Sequence, residues 1–291
     1  FAIGEFKFLR RLLLVHGRWN YVRQSKVFLY SMHKNMVLTM TLFWFSFFTA
    51  VSGCSPYESW VYSAFNFILG LPIIFFGILD RDLSADFCLS LPQTYSTGRT
   101  NVLLNIGSIL QWIGNAMMYA VVVCLMSYNV LFPTFYFLDL YTAGTIVMIG
   151  LVIALQFKVM FFHHQWSSYQ IHSMLFSFYA MFLFYMLIAA SVDDYWNYAI
   201  MTYNEPITWL WGLFTVPFTA VFIDWFAYFS RYFLFPTQEM IYREMEKSEE
   251  YDDLNRLTCL SAQGSYRKPK HPQDSQDPHQ RLIAQREIEM T

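Results

Sequence analysis

Charge is what this sequence has least of. Only 14% of its 291 residues are Asp, Glu, Lys or Arg, against about 25% in an ordinary soluble domain. The shortage is concentrated in one place. Of 40 charged residues, 7 fall in 1–26, 19 in 236–291 and 14 in all of 27–235. A soluble globular domain is excluded by the missing charge, and a disordered chain by a composition that is 56% hydrophobic and 20% aromatic. The net charge of −2 gives no general attraction to nucleic acid. No Gly-rich phosphate loop of the Walker type occurs, and no Cys or His cluster has zinc spacing. The four cysteines form no close-spaced motif. No internal repeat at a fixed period is evident. No signal peptide is read in 1–26, which is basic and amphipathic without a small-residue cleavage site.

What is present is long apolar runs. A membrane-crossing helix needs about 20 mostly apolar residues. Six stretches qualify, near 28–51, 59–79, 103–127, 138–157, 171–191 and 207–233. The expected fold class is an all-α polytopic membrane bundle. Residues 1–26 form a cytosolic linker, 27–235 the six-span domain and 236–291 a cytosolic tail. The tail reads as a charged helix over 238–255, a disordered stretch over 261–280 and a short helix over 279–290. Lys and Arg set the orientation. Six lie in 1–26, and Arg81 and Arg99 lie in the 80–102 loop. Lys158 follows the fourth span, and Arg231 and the tail supply nine more. Loops 52–58, 128–137 and 192–206 hold none, and carry Glu58, Asp193, Asp194 and Glu205 instead. Both termini are therefore expected in the cytosol. Cys88 and Cys259 fall on that reducing side. Cys54 and Cys124 lie toward the other side and are the one pair able to bond, although four free thiols are expected.

Ionisable and polar groups inside spans are costly and are the functional candidates. Lys34 lies in the first span, with Asn35 beside it. Ser31, Asn35 and Thr39 recur at i+4, Lys34 and Thr41 at i+7, and the set is read as one polar stripe. The stripe either lines a path for a headgroup or an ion, or glues helices while Lys34 snorkels to the interface. In the second span Pro72 removes a backbone donor, with Gly70 and Gly77 close by. Carbonyls near Leu69 to Leu71 then either face a polar cavity shared with Asn66, or belong to a simple kink. Asp224, deep in the last span, needs a partner, and packing against another helix is the expected reason for it. Asp139 and Lys158 are placed at span edges facing headgroups. His163 and His164 are read as interfacial residues.

Several runs carry a family likeness that covers about 1–245: the opening segment 1–35 with LLLVHGRW at 12–19 and His33-Lys34-Asn35, then FWFSFFTAVSG at 43–53, GILDRD at 77–82 and FPT at 235–237. The segment resembles the C-terminal transmembrane portion of the class IV P-type ATPases, the phospholipid flippases. The family's Tyr-Lys-Asn stands here as His33-Lys34-Asn35. The family asparagine lies seven residues before its proline, whereas Asn66 lies six before Pro72 and Phe65 lies seven before it. Where the family often has a second proline, this chain has Ile73.

The resemblance implies that the six spans are the family's helices five to ten. It implies ATP-driven movement of phospholipid from the outer or lumenal leaflet to the cytosolic leaflet, through an aspartyl-phosphate and with magnesium. It assigns substrate handling to Lys34 and Asn35, and less directly to Asn66. It also implies a two-span accessory subunit and residence in the plasma membrane or in Golgi or endosomal membranes. The family's Asp-Lys-Thr-Gly-Thr and Gly-Asp-Gly motifs do not occur in these residues. The chain is therefore expected to be part of a longer enzyme, to bind no cofactor itself and to be inactive on ATP alone. The alternatives are a free-standing six-span protein, either a passive transporter or a non-catalytic scaffold.

Overall fold

A computed structural model describes residues 4–57, 59–131, 140–164, 166–191, 206–234 and 236–248. Glu58, Asp139, Asp193, Asp194, Glu205, Cys259 and the tail readings beyond 248 lie outside the described residues. The chain divides into one unit, Phe1–Ile241, and a second, Tyr242–Thr291.

Every regular element among the described residues is helical. Helix α1 (Lys7–Arg11) runs through a wide π-helical turn (Leu12–Gly17) into α2 (Arg18–Phe48). Next come α3 (Ser59–Leu79), α4 (Ala85–Ser90), a 3₁₀ turn (Pro92–Tyr95) and α5 (Ser96–Arg99). The long helices α6 (Ile106–Leu131), α7 (Leu140–Phe162), α8 (Ser168–Ser191) and α9 (Pro206–Leu234) follow, and then α10 (Gln238–Lys247). The six long helices fall on the six apolar runs. Three of them contain stretches long and apolar enough to cross a membrane, namely Ser59–Leu79, Ile106–Met126 and Gly144–Phe161.

The main pairings are α2 with α6, α9 with α7 and α6, and α3 with α8 and α2. Their shared core contains Val37, Phe65, Leu69, Tyr119, Leu155 and Ala220. The outside of the bundle is apolar as well. Phe176, Tyr179 and Phe182 on α8, and Phe218, Phe222 and Phe226 on α9, are all exposed. Such a surface is costly in water and suits lipid, where packing and hydrogen bonds, not water exclusion, hold helices together.

Helix α2 begins at Arg18, ten residues before its apolar run, because polar residues continue a helix outside lipid. It ends where Val51 N–H donates to the Ser46 carbonyl at 2.8 Å, with Ala50 and Val51 at positive φ. This six-to-one closure is that of a Schellman end, made here without glycine.

Pro72 lies inside a continuous α3. Its missing N–H frees the carbonyl four residues back, that of Ile68, and not those of Leu69 to Leu71. The Ser177 hydroxyl on α8 donates to that carbonyl at 2.5 Å, and Gln156 on α7 donates its amide to the Ser177 oxygen. Both side chains are fully buried. The proline thus ties three helices together through the acceptor it frees. Ser177→Ala would strand both the carbonyl and the amide. A loss of about 1–3 kcal/mol is expected, read as a lower thermal midpoint in detergent.

Gly144 on α7 approaches the Pro56 carbonyl so closely that a β-carbon would collide with backbone. Backbone yields less readily than a side-chain tip. Gly144→Ala should therefore cost about 1–3 kcal/mol, again visible in the thermal midpoint.

Candidate functional site

The polar residues of α2 occupy two faces. Lys34 is 7% exposed, and His33 and Thr41 are buried. Ser31 is half-buried, while Asn35 and Thr39 are exposed. Adjacent helical residues lie 100° apart, so the i+4 row and the Lys34–Thr41 row do not form a single stripe. The Thr39 hydroxyl bonds its own helix, at the Asn35 carbonyl, over 2.9 Å. Thr41 receives the Tyr57 hydroxyl at 3.1 Å. Lys34 has no carboxylate partner among the described residues. On α3, Asn66 is exposed, Pro72 is buried, and Phe65 is 1% exposed within the core. Of the two residues near the family asparagine position, Phe65 is therefore the one that faces inward.

Next to Lys34 stands a buried polar cluster drawn from four helices. Lys158 on α7 is 4% exposed, not set at an edge toward headgroups. Its amine donates to Asp224 on α9 at 2.8 Å and to the Asn115 carbonyl oxygen on α6 at 2.6 Å. It also faces the rings of Tyr119, at 4.8 Å, and Trp112, at 5.5 Å. His33 Nε2 lies 2.9 Å from the same Asn115 oxygen. Asp224 thus has the helix-to-helix partner that its depth demanded. The Tyr119 hydroxyl, Asp224 Oδ2 and His33 Nδ1 are buried without hydrogen-bond partners.

The runs 12–19 and 77–82, far apart in sequence, meet at the end of the bundle that carries the basic segment. Arg18 and Asp82 are each 1% exposed at the side chain and pair at 2.8 Å. Arg18 also donates to the Thr94 carbonyl and to the Thr97 hydroxyl. The Trp19 indole donates to the Leu83 carbonyl at 2.8 Å, and the Arg81 guanidinium lies over its ring at 4.9 Å. Arg23 donates to the Ile78 carbonyl. One face of early α2 is thereby clamped to the α3–α6 connection.

Beside this clamp, the Lys26 amine lies 3.2 Å from His164 Nε2, and His164 Nδ1 lies 2.8 Å from Asp80. Lysine only donates, so Nε2 accepts and Nδ1 carries the proton. His163 stacks on Trp166 and meets the edge of Phe76. Its Nδ1 bonds the Val159 carbonyl at 2.8 Å, and Nε2 is buried without a partner. Burial pushes the His163 imidazole below its ordinary range, against the opposing pull of the Val159 carbonyl. The unfolded chain therefore takes up this proton first as pH falls. Stability present at neutral pH should fall as pH drops below about 6.5 toward the lower folded value. Thermal midpoints measured from pH 7.5 to 5 should show that slope, and His163→Phe should flatten it.

Cys54, Cys88 and Cys124 form no disulfide, so the one pairing that the topology allowed is not made. No group of three His, Cys, Asp or Glu side chains poised for a metal occurs among the described residues.

An apolar exterior, three helices of membrane-crossing length and ion pairs buried between helices define a helical membrane domain. Residues 1–237 match the family model described as phospholipid-translocating P-type ATPase C-terminal, and the chain belongs to that family. It is 31% identical over 240 residues to Phospholipid-transporting ATPase 10 of Arabidopsis thaliana, covering 78% of this chain and 20% of that protein. It is 26% identical over 261 residues to Phospholipid-transporting ATPase IK of Homo sapiens, covering 86% of this chain and 20% of that protein. A shorter match, 36% over 133 residues, joins 45% of the chain to 11% of Probable phospholipid-transporting ATPase 4 of Arabidopsis thaliana. The chain spans a fifth or less of the length of these relatives.

Sequence reasoning missed Asn115 altogether and set Lys158 at a span edge facing headgroups. The available signal was charge balance. Asp224 inside its apolar run needs a cation, and Lys158, one residue past the 138–157 run and without a local counter-charge, is a candidate for it beside Lys34.

Proposed function

We propose that this chain is the membrane-domain portion of an ATP-driven phospholipid flippase that moves phospholipid from the outer or lumenal leaflet to the cytosolic leaflet. The observation that carries the site reading is Lys34, a buried cation in the bundle with no carboxylate partner among the described residues. Arg18 and Lys158, the other buried cations of the bundle among the described residues, are neutralised by Asp82 and Asp224. An anionic headgroup phosphate is the partner that Lys34 lacks, and a charge-assisted contact of that kind is among the stronger hydrogen bonds.

The headgroup enters past the outward row Ser31, Asn35 and Thr39 and past Asn66, and then meets Lys34 on the inward face of the same helix, with the acyl tails left in lipid. The six long helices act as six spans with both ends in the cytosol. ATP and Mg²⁺ belong to ATPase domains outside these residues. Phosphorylation there biases two arrangements of the helices, and the segment 1–26 carries that bias into α2. Lys34 must meet the lipid phosphate better in one arrangement than in the other, because equal affinity shifts nothing. The lipid-exposed aromatic faces offer the docking area for a two-span accessory subunit.

The test is direct. The complete enzyme in vesicles carrying fluorescent phospholipid should deplete the leaflet opposite its ATP site when ATP is added, and not otherwise. ATP-independent equilibration would instead favour a passive six-span transporter.

A further inference from the structure

We propose that His33, Asn115, Lys158 and Asp224 form a positioning chain that fixes the rotational setting of α2, and so the direction in which Lys34 presents its amine. The proposal rests on the reading of Lys34 as the headgroup contact. The hydrogen-bond logic allows a single pattern. Lys158 is a pure donor, so the Asn115 atom 2.6 Å from it is the carbonyl oxygen. That oxygen has a second neighbour, His33 Nε2, at 2.9 Å. Nε2 must therefore donate, which makes Nδ1 the bare acceptor, and Nδ1 is indeed buried with no partner. The tautomer of His33 is thus set by a lysine on another helix. Asp224 holds that lysine from the far side at 2.8 Å, and the Asn115 amide makes a long 3.5 Å contact to the same carboxylate oxygen.

The rings complete the cage. His33 meets Trp112 and Tyr119 edge to face at 5.8 and 5.4 Å, and the Lys158 amine lies over both rings. His33 can leave Asn115 only if α2 turns or slides. Lys34 is the next residue, 100° further around the same helix. A turn of α2 large enough to swing Lys34 into another sector therefore breaks the His33–Asn115 bond. The chain anchors α2 through one neutral hydrogen bond, while α7 and α9 are held by an ion pair and α6 by the hydrogen bond that the Lys158 amine donates to Asn115. The weakest link is thus placed on the helix that must move, and His33 is a positioning residue and not itself a headgroup contact.

The experiment measures lipid-stimulated ATP turnover of the complete enzyme against lipid concentration, in mixed micelles of phosphatidylserine, phosphatidylcholine or phosphatidylethanolamine in turn. Thermal midpoints are recorded for every variant. His33→Phe keeps the ring and removes the donor. It should raise the half-saturating lipid concentration about tenfold, with a smaller fall in the maximal rate. His33→Gln places an amide N–H where Nε2 was and should restore the wild-type value. His33→Asn is too short and should not. Normal lipid saturation in His33→Phe, or failure of His33→Gln to rescue a folded enzyme, overturns the proposal. Lys34→Ala separates the two readings. If it is impaired while His33→Phe is normal, the positioning chain alone is wrong. If Lys34→Ala saturates normally, the headgroup reading fails and the positioning chain fails with it.

Discussion

Lys34→Ala in the complete enzyme should cut lipid-stimulated ATP turnover by roughly ten- to a hundredfold. That range converts the about 1.5–3 kcal/mol of a hydrogen bond to a charged group into a rate at about 1.4 kcal/mol per decade. The loss should fall on the lipid-dependent step. The aspartyl-phosphate, formed elsewhere in the enzyme, should still appear with ATP and should persist when lipid is added. Lys34→Arg keeps the charge but spreads it over a wider planar fork, so a partial response is expected. The residue is 7% exposed, and no carboxylate among the described residues neutralises it. A snorkelling lysine would sit at the interface, and its removal would leave the lipid response unchanged. That outcome would return Lys34 to a structural role and remove the site from α2.

The six apolar runs were legible because membrane helices must satisfy every backbone group internally, which leaves long uninterrupted stretches as their mark. The ends were less legible wherever a helix continues beyond lipid. Helix α2 starts at Arg18, within a basic stretch that hydropathy cannot read as helix, and α7 runs on to Phe162 past the charge at Lys158. That second error hid the buried cluster. A charge marks the end of a span in hydropathy, but pairing with Asp224 lets Lys158 lie inside one. The sequence places the candidate residues on their helices, α2 and α3, but not on their faces. Ser31, Asn35 and Thr39 look outward and Lys34 inward, a division that 100° per residue already contains. The partner of the Pro72 gap could not be read at all. Ser177 lies over a hundred residues away, and nothing local marks it as the donor to Ile68.

The ion pair between Lys158 and Asp224 should show the largest effect on stability. Lys158→Met alone removes the cation and leaves a carboxylate with one oxygen already unpartnered and the other 3.5 Å from Asn115. Stranding a buried charge in this way costs about 3–5 kcal/mol. Asp224→Asn should cost less. The amide oxygen still accepts from Lys158, which also keeps Asn115 and the faces of Tyr119 and Trp112. The double variant Lys158→Met with Asp224→Leu removes both charges and fills the space with apolar atoms. It should regain most of the lost stability, since the desolvation of two ions is relieved together. The double-mutant cycle, closed with Asp224→Leu alone and read from thermal midpoints in detergent, should give a coupling of about 2 kcal/mol or more. Additive losses would mean that the two groups do not sense each other. Recovery of stability without recovery of lipid response would then place the pair in function as well as in packing. An apolar replacement can hold α7 against α9, but it offers Asn115 no donor and so cannot fix the oxygen that His33 uses.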